Sequence, residues 1–197
     1  MKNNELPKFP KRKHPRLKKY DYSSNGYYFV TVCCKDMRCF FGKITHNADS
    51  AGRLASTVKS TANNVGRGLA PAERQYQDSV LSLSVYGRIA ENQLFALEKR
   101  YDFVTIDKFV IMPNHIHAII ILDGAAGASP RPTLSDIICA YKSLTTRNCN
   151  KIANCTGRQI FQNSFYDRVI TSEEGYFEVW QYIDENPRKC QNDEYYF

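Results

Sequence analysis

The sequence predicts a single domain that mixes β-strands with α-helices, and three observations carry that prediction. First, Tyr27–Cys34 (YYFVTVCC) and the run that begins at His115 in KFVIMPNHIHAIIIL (Lys108–Leu122) are dense in β-branched and aromatic residues. That composition suits strands. Second, two later stretches repeat their apolar residues every three or four positions: Leu134, Ile137, Ile138, Tyr141 and Leu144, then Tyr176, Val179, Trp180 and Ile183. Such periodicity belongs to amphipathic helices. Third, 197 residues is a length that suits one domain with enough chain to bury a proper core.

In chain order, residues 1–20 form a basic arm. Lys2, Lys8, Lys11, Arg12, Lys13, Arg16, Lys18 and Lys19 stand there against Glu5 alone, so the arm accounts for the whole net charge of +7. A basic, proline-containing arm on a formally balanced body suits phosphate backbones, because each neutralised phosphate releases condensed counterions. Asn25-Gly26 is a turn signal ahead of the Tyr27–Cys34 strand, and Phe40–Ile44 extends or pairs with that strand. Residues 48–80 are rich in Ala, Ser, Gly, Asn and Thr without a sustained apolar period, and read as an inserted surface loop. Order resumes at Val80–Val85. Gly87 precedes a helix over Arg88–Lys99, and Tyr101–Ile106 connects it to Phe109–Met112, a short extended lead-in broken at Pro113-Asn114.

After Leu122, a Gly/Ala loop leads to a helix over Leu134–Asn150 capped by Thr133 or Ser135, with Lys142, Ser143, Thr146, Arg147 and Asn148 on its polar side. Gln159–Ile170 mixes aromatic and polar residues. Thr171 and Glu174 offer a capping box for a last helix that Pro187 stops. Seven cysteines make an odd number with no CxxC pair, which disfavours both a zinc ribbon and a secreted disulfide framework. With no long apolar span and no secretory segment, a soluble chain in a reducing cytoplasm is expected.

The chemistry-bearing feature is His115-Ile116-His117. Side chains two apart on a strand share a face, so the two imidazoles stand side by side as potential metal ligands. Taken alone, such a pair is more often two half-exposed or hydrogen-bonded histidines. On the last helix, Glu178, Tyr182 and Asn186 fall four residues apart on one line. If that line covers the histidine strand, His115, His117 and Asn186 offer two imidazoles and a neutral oxygen to a divalent ion. Such a set suits Mg²⁺ or Mn²⁺ more than structural zinc, and Tyr182 is then a candidate nucleophile at a phosphate. A zinc hydrolase lacks a third acidic or histidine ligand, since His14 and His46 lie in the arm and a loop.

MPNHIHAIII (112–121) together with YIDENP (182–187) resembles the single-tyrosine HUH transposases, and within them the REP-associated branch of the IS200-like group. PRLKKYDYSSNGYYFVTVC, YGRIAE, SPRPTLSDIICAYKSLTTR and FYDRVITSEEGYFEVWQYIDENP extend the resemblance over most of the chain except residues 48–80. The resemblance implies an α+β fold in which a ferredoxin-like antiparallel sheet carries the histidines, helices pack on it, and the catalytic tyrosine lies on the C-terminal helix. Residues 21–197 would form this one catalytic domain, with an insertion at about 48–80. His115 and His117 match the metal ligands, Tyr182 the nucleophile, and Asn186 the polar ligand one turn beyond it. The implied activity is that of a Mg²⁺- or Mn²⁺-dependent transposase. It cuts single-stranded DNA beside hairpins, leaves a 5′-phosphotyrosine on the enzyme, and can rejoin strands.

Lys11, Arg12, Lys13, Arg16, Lys18, Lys19, Lys142 and Arg147 are the expected DNA contacts, with aromatics around Tyr20–Tyr28 or Phe161–Tyr166 stacking on unpaired bases. A tyrosine titrates near about 10 in isolation, so the nucleophile needs help to lose its proton, and Glu178 is within reach. The alternative reading is a domesticated hairpin-binding protein with little or no cleavage. The protein is expected to act away from membranes, as a monomer or a homodimer. Truncation of residues 2–19 should flatten the salt dependence of DNA binding, by about 0.7 in the log–log slope for each single-strand phosphate that the arm neutralises. An unchanged slope would remove the arm from the binding surface.

Overall fold

The computed structural model describes residues 20–46, 73–76, 79–124 and 131–189. The arm residues Lys11, Arg12, Lys13, Arg16, Lys18 and Lys19, and most of the expected insertion, lie outside these. In chain order the elements are β1 (Gly26–Cys33), β2 (Gly42–His46), β3 (Glu73–Tyr76), β4 (Ser79–Leu83), α1 (Val85–Arg100), β5 (Val104–Ile111), β6 (His115–Leu122), α2 (Leu134–Ile152), β7 (Tyr166–Ile170) and α3 (Glu173–Glu185). Strands β5-β6-β1-β7 form one four-stranded sheet in that order, with every neighbour antiparallel. Taken with α1 and α2, the sequence β1-α1-β5-β6-α2-β7 is the β-α-β-β-α-β arrangement of ferredoxin-like folds.

The two-residue period of β6 sorts its side chains between two cores. Ile116, Ala118, Ile120 and Leu122 join Tyr28, Val30 and Val32 of β1 in the main core, with Leu94 and Leu97 of α1 and Ile137, Ile138 and Tyr141 of α2. Ile119 faces the other way and packs with Val179 and Ile183 of α3 in a second, smaller core. Strand β5 has to change phase to serve both. Val104 and Ile106 enter the main core, but after the irregularity between Ile106 and Lys108 it is Ile111 that does so, while Val110 and Met112 join the α3 side. A bulge inserts one residue and so exchanges the two faces of a strand.

Several expectations differ in detail. Strand β2 does not extend β1; it pairs with β4 in a separate three-stranded sheet of order β2-β4-β3. The end of the stretch read as a loop at 48–80 is therefore strand. Residues 101–106 are not merely a connection, because β5 begins at Val104 and continues through its bulge to Ile111. The polar-aromatic stretch before the last helix supplies edge strand β7, paired with β1 from Tyr27↔Ile170 to Thr31↔Tyr166. Its five residues were too few and too polar to show alternation. Thr133 caps α2 through a capping box with Asp136. At α3 the cap is Ser172, whose side chain accepts from Gly175 N, rather than Thr171. Among the described residues no helix is long and apolar enough to cross a membrane, and their six cysteines are free thiols.

Helix α1 starts three residues before the expected Arg88, because Ser84 Oγ accepts from Gly87 N at 3.1 Å and caps it. Gly87 thus lies in the first turn, where a Cβ would sit 2.1 Å from the Phe41 carbonyl oxygen. Gly87→Ala should consequently cost about 1–3 kcal/mol in urea unfolding, because backbone must shift to admit the methyl group.

Candidate functional site

His115 and His117 face α3 with Ile119, and both are fully buried. Their rings lie 4.5 Å apart between centroids. Each is oriented through Nδ1: His115 by Asn114 Oδ1 at 2.8 Å, His117 by Thr31 Oγ1 at 2.9 Å. Thr31 is the register partner of His117 on β1, so the same strand pairing that sets the histidines also delivers the hydroxyl. An amide oxygen only accepts, so we assign the proton of His115 to Nδ1, which leaves the lone pair on Nε2. The same tautomer of His117 donates to Thr31 and leaves Nε2 as an acceptor.

That acceptor faces Tyr182. The Tyr182 hydroxyl lies 3.2 Å from His117 Nε2, with the two rings 5.1 Å apart. Phe29 of β1 completes the wall, stacked on His117 at 5.4 Å and edge-on to Tyr182 at 5.9 Å. Tyr182 remains 37% exposed, so its ring reaches the buried imidazole while solvent or a ligand can still reach the phenol. Asn186, one turn further along, is the C-cap of α3. Its side chain is 3% exposed and its Oδ1 is buried. The structure thus brings Tyr182 onto the histidine pair and sets Asn186 at the buried end of the same helix. Glu178 is exposed on α3, and the Tyr182 phenol hydrogen-bonds to His117.

Helix α3 is anchored to β5 along one side, as well as through Val179 and Ile183. Lys108, the first residue after the β5 bulge, pairs with Asp184 at 2.6 Å and sits 3.6 Å from the centroid of the Trp180 ring. Trp180 is accordingly 39% exposed against that lysine, not part of the buried stripe expected for it. Asp107, the extra residue of the bulge, accepts from the Tyr176 hydroxyl at 2.7 Å. Burial, followed by that hydrogen bond to a carboxylate, pushes the Tyr176 pKa up to about 12.

The expected DNA contacts divide. Lys142 is half-buried at the wall of the groove that Arg147 also lines; its ammonium donates to the carbonyls of Gln162 and Asn163 at 2.5 and 3.0 Å, and burial lowers its pKa. It clamps the loop between α2 and β7. Arg147 is exposed and shares a groove of about 510 Å³ with Ser143, Thr146, Gln159 and Asn163. Of the expected stacking aromatics, Tyr28, Phe161 and Phe165 are buried in the core, whereas Tyr27 is 44% exposed. Sequence reading missed Thr31 and Asn114 as orienting partners. It also missed Arg168, whose register partner Phe29 places it on the histidine face; spacing from Ile170 on a recognised strand would have found it.

Among the described residues no group of three or more His, Cys, Asp or Glu converges as a metal site. The candidate donors are the two imidazole Nε2 atoms on β6 and, at the C-cap of α3, the buried amide oxygen of Asn186. Imidazole nitrogens and a neutral oxygen are donor types that a divalent ion with open positions accepts, and the Nδ1 bonds are of the kind that orient ligating histidines.

No protein-family model matches the chain. It is 28% identical over 201 residues to an uncharacterized protein from Haemophilus influenzae, across 94% of this chain and 93% of the relative. Among solved structures, it shares its fold with a REP-associated tyrosine transposase bound to a REP hairpin. That superposition has a TM-score of 0.52 and 16% identity, covering 90% of this chain and 74% of the other.

The two basic residues of α2 should separate in experiment. Lys142→Met should lower stability by about 1–3 kcal/mol, as its charged hydrogen bonds disappear, and leave the salt slope of DNA binding unchanged. Arg147→Ala should reduce that slope by about 1 at unchanged stability.

Proposed function

We propose that this protein is a metal-dependent endonuclease and strand transferase, a transposase that acts on single-stranded DNA beside hairpins through Tyr182. The observation that carries this reading is the 3.2 Å contact between the Tyr182 hydroxyl and His117 Nε2, on the strand that also carries His115. A half-exposed phenol held against a buried imidazole pair combines a nucleophile with candidate metal ligands. The shared fold with a transposase solved on a REP hairpin supports the same substrate class, as does the basic arm.

In this reading His115, His117 and Asn186 would hold Mg²⁺ or Mn²⁺, and the bound ion would supply charge neutralisation at the phosphate. The Tyr182 proton passes to a solvent water molecule, the phenolate oxygen bonds to phosphorus, and the bond from phosphorus to the 3′-oxygen breaks. The leaving oxygen takes a proton back from solvent to become a 3′-hydroxyl, and the 5′-phosphate stays on the tyrosine. Attack by another 3′-hydroxyl reverses these changes and restores a phosphodiester, so rejoining needs no ATP. Thr31 and Asn114 keep both imidazoles in one tautomer throughout, and Arg168 is a cation on the same face of the sheet.

Single-stranded hairpin DNA incubated with protein and Mn²⁺ should give a covalent adduct on a denaturing gel, and Tyr182→Phe should abolish it. An adduct that persists in Tyr182→Phe excludes this nucleophile. Hairpin binding with no adduct from the unmodified protein favours the binding-only alternative. Thr31→Val, nearly isosteric, should weaken Mn²⁺ affinity about 10–100-fold, the usual cost of removing an orienting partner. The single lone pair of His117 Nε2 serves either the phenol or a metal, so Tyr182→Phe should bind Mn²⁺ at least as tightly as the unmodified protein in calorimetry.

A further inference from the structure

A second concavity lies on the same face of the sheet as the histidines, under the first turns of α3. It has a volume of about 500 Å³ and is lined by Tyr27, Asp107, Ile121, Ile170, Glu173 and Tyr176. Ile121, Tyr27 and Ile170 are register neighbours across β6, β1 and β7, so they form one row of the sheet. The Tyr27 and Tyr176 rings meet edge to face, with centroids 5.8 Å apart and planes at 79°. Tyr27 nevertheless stays 44% exposed, which leaves aromatic surface to stack on.

From this geometry we infer that the concavity is a base-recognition pocket for one unstacked nucleotide beside the strand break, selecting a nucleobase that carries an exocyclic amine. The inference rests on the proposed DNA-cleaving function and adds a specificity element to it. Aromatic walls accept any base by stacking, so selectivity must come from the polar groups. These include two carboxylates, on Asp107 and Glu173. Carboxylates repel a phosphate but accept hydrogen bonds from an amine such as cytosine N4.

Asp107 is already fixed in place, since it accepts from the Tyr176 hydroxyl at 2.7 Å, and a carboxylate keeps further lone pairs for a ligand. The position relative to the break also fits. Tyr27 lies two residues from Phe29 on the same face, about 7 Å along the strand, and the Phe29 ring is 5.9 Å from that of Tyr182. A strand attacked by Tyr182 therefore passes within reach of the pocket at an adjacent nucleotide.

The test uses the full chain and hairpin-bearing single-stranded DNA in which each position flanking the break is varied in turn. At one such position, adduct formation should favour an amine-bearing base over thymine by about 10-fold. The double variant Asp107→Ala, Glu173→Ala, which removes both side-chain acceptors, should reduce that preference to less than about 3-fold. With 2-aminopurine at the same position, Tyr182→Phe protein should quench its fluorescence on binding. Adding Tyr27→Ala should relieve the quenching and weaken binding about 10-fold, whereas Tyr27→Phe should retain both.

An undiminished base preference in the carboxylate double variant overturns the inference, as does equal use of thymine at every flanking position. Absence of any adduct from the unmodified protein is instead a failure of the proposed cleavage. The pocket is then judged on the fluorescence alone, and quenching indifferent to Tyr27 refutes it.

Discussion

Strand β6 is buried on both faces, and the rest of the structure depends on which of its side chains go to which side. A slip of one residue would turn His115 and His117 into the main core and push isoleucines towards α3. Pairing with β1 on one side and β5 on the other forbids it, and so does the cost of moving two imidazoles among aliphatic groups away from their partners. Buried histidines are tolerated here because Thr31 and Asn114 meet their Nδ1 atoms. The partners of the candidate site therefore follow from the register of the sheet itself.

The bulge in β5 is the second constraint. With a regular pleat, Lys108 would lie on the main-core side of the sheet. The extra residue turns it towards α3, where it meets Trp180 and Asp184, and Asp107 beside it receives Tyr176. Two neighbouring residues of one strand thereby fix α3 at separate points along its length. Its apolar seat is small, chiefly Val179 and Ile183 over Ile119, Val110 and Met112. These polar anchors orient the helix that carries Tyr182 without covering the phenol.

Charge and aromatic surface divide between binding and structure according to burial. Lys142 belongs to a polar helix face in the sequence but closes a loop in the fold. Tyr20, Tyr22 and Tyr28 are alike in sequence to Tyr27, yet the three pack against one another at the margin of the main core. Alternation on β1 alone separates Tyr28, which is fully buried, from Tyr27, which is 44% exposed. The aromatic surface next to Tyr182 is thus Tyr27 and Phe29 on one strand face, with Tyr176 above.

The sequence by itself determined the long regular elements: β1, β6, α2 and α3 can each be read from composition and period, because side-chain alternation and helical repeat are local properties. It also determined that His115 and His117 share a face and that Tyr182 and Asn186 stand one turn apart. Only the tertiary structure decided that these two lines meet, since the approach of the Tyr182 hydroxyl to His117 Nε2 depends on where α3 docks across the sheet. Short elements such as β7 and β3 take their strand form from their partners, and their own residues carry too few alternations to announce it. The bulge at Asp107, the Ser172 cap and the capture of Lys142 by carbonyls of another segment were hidden for the same reason: each depends on geometry between neighbours that a linear pattern does not encode.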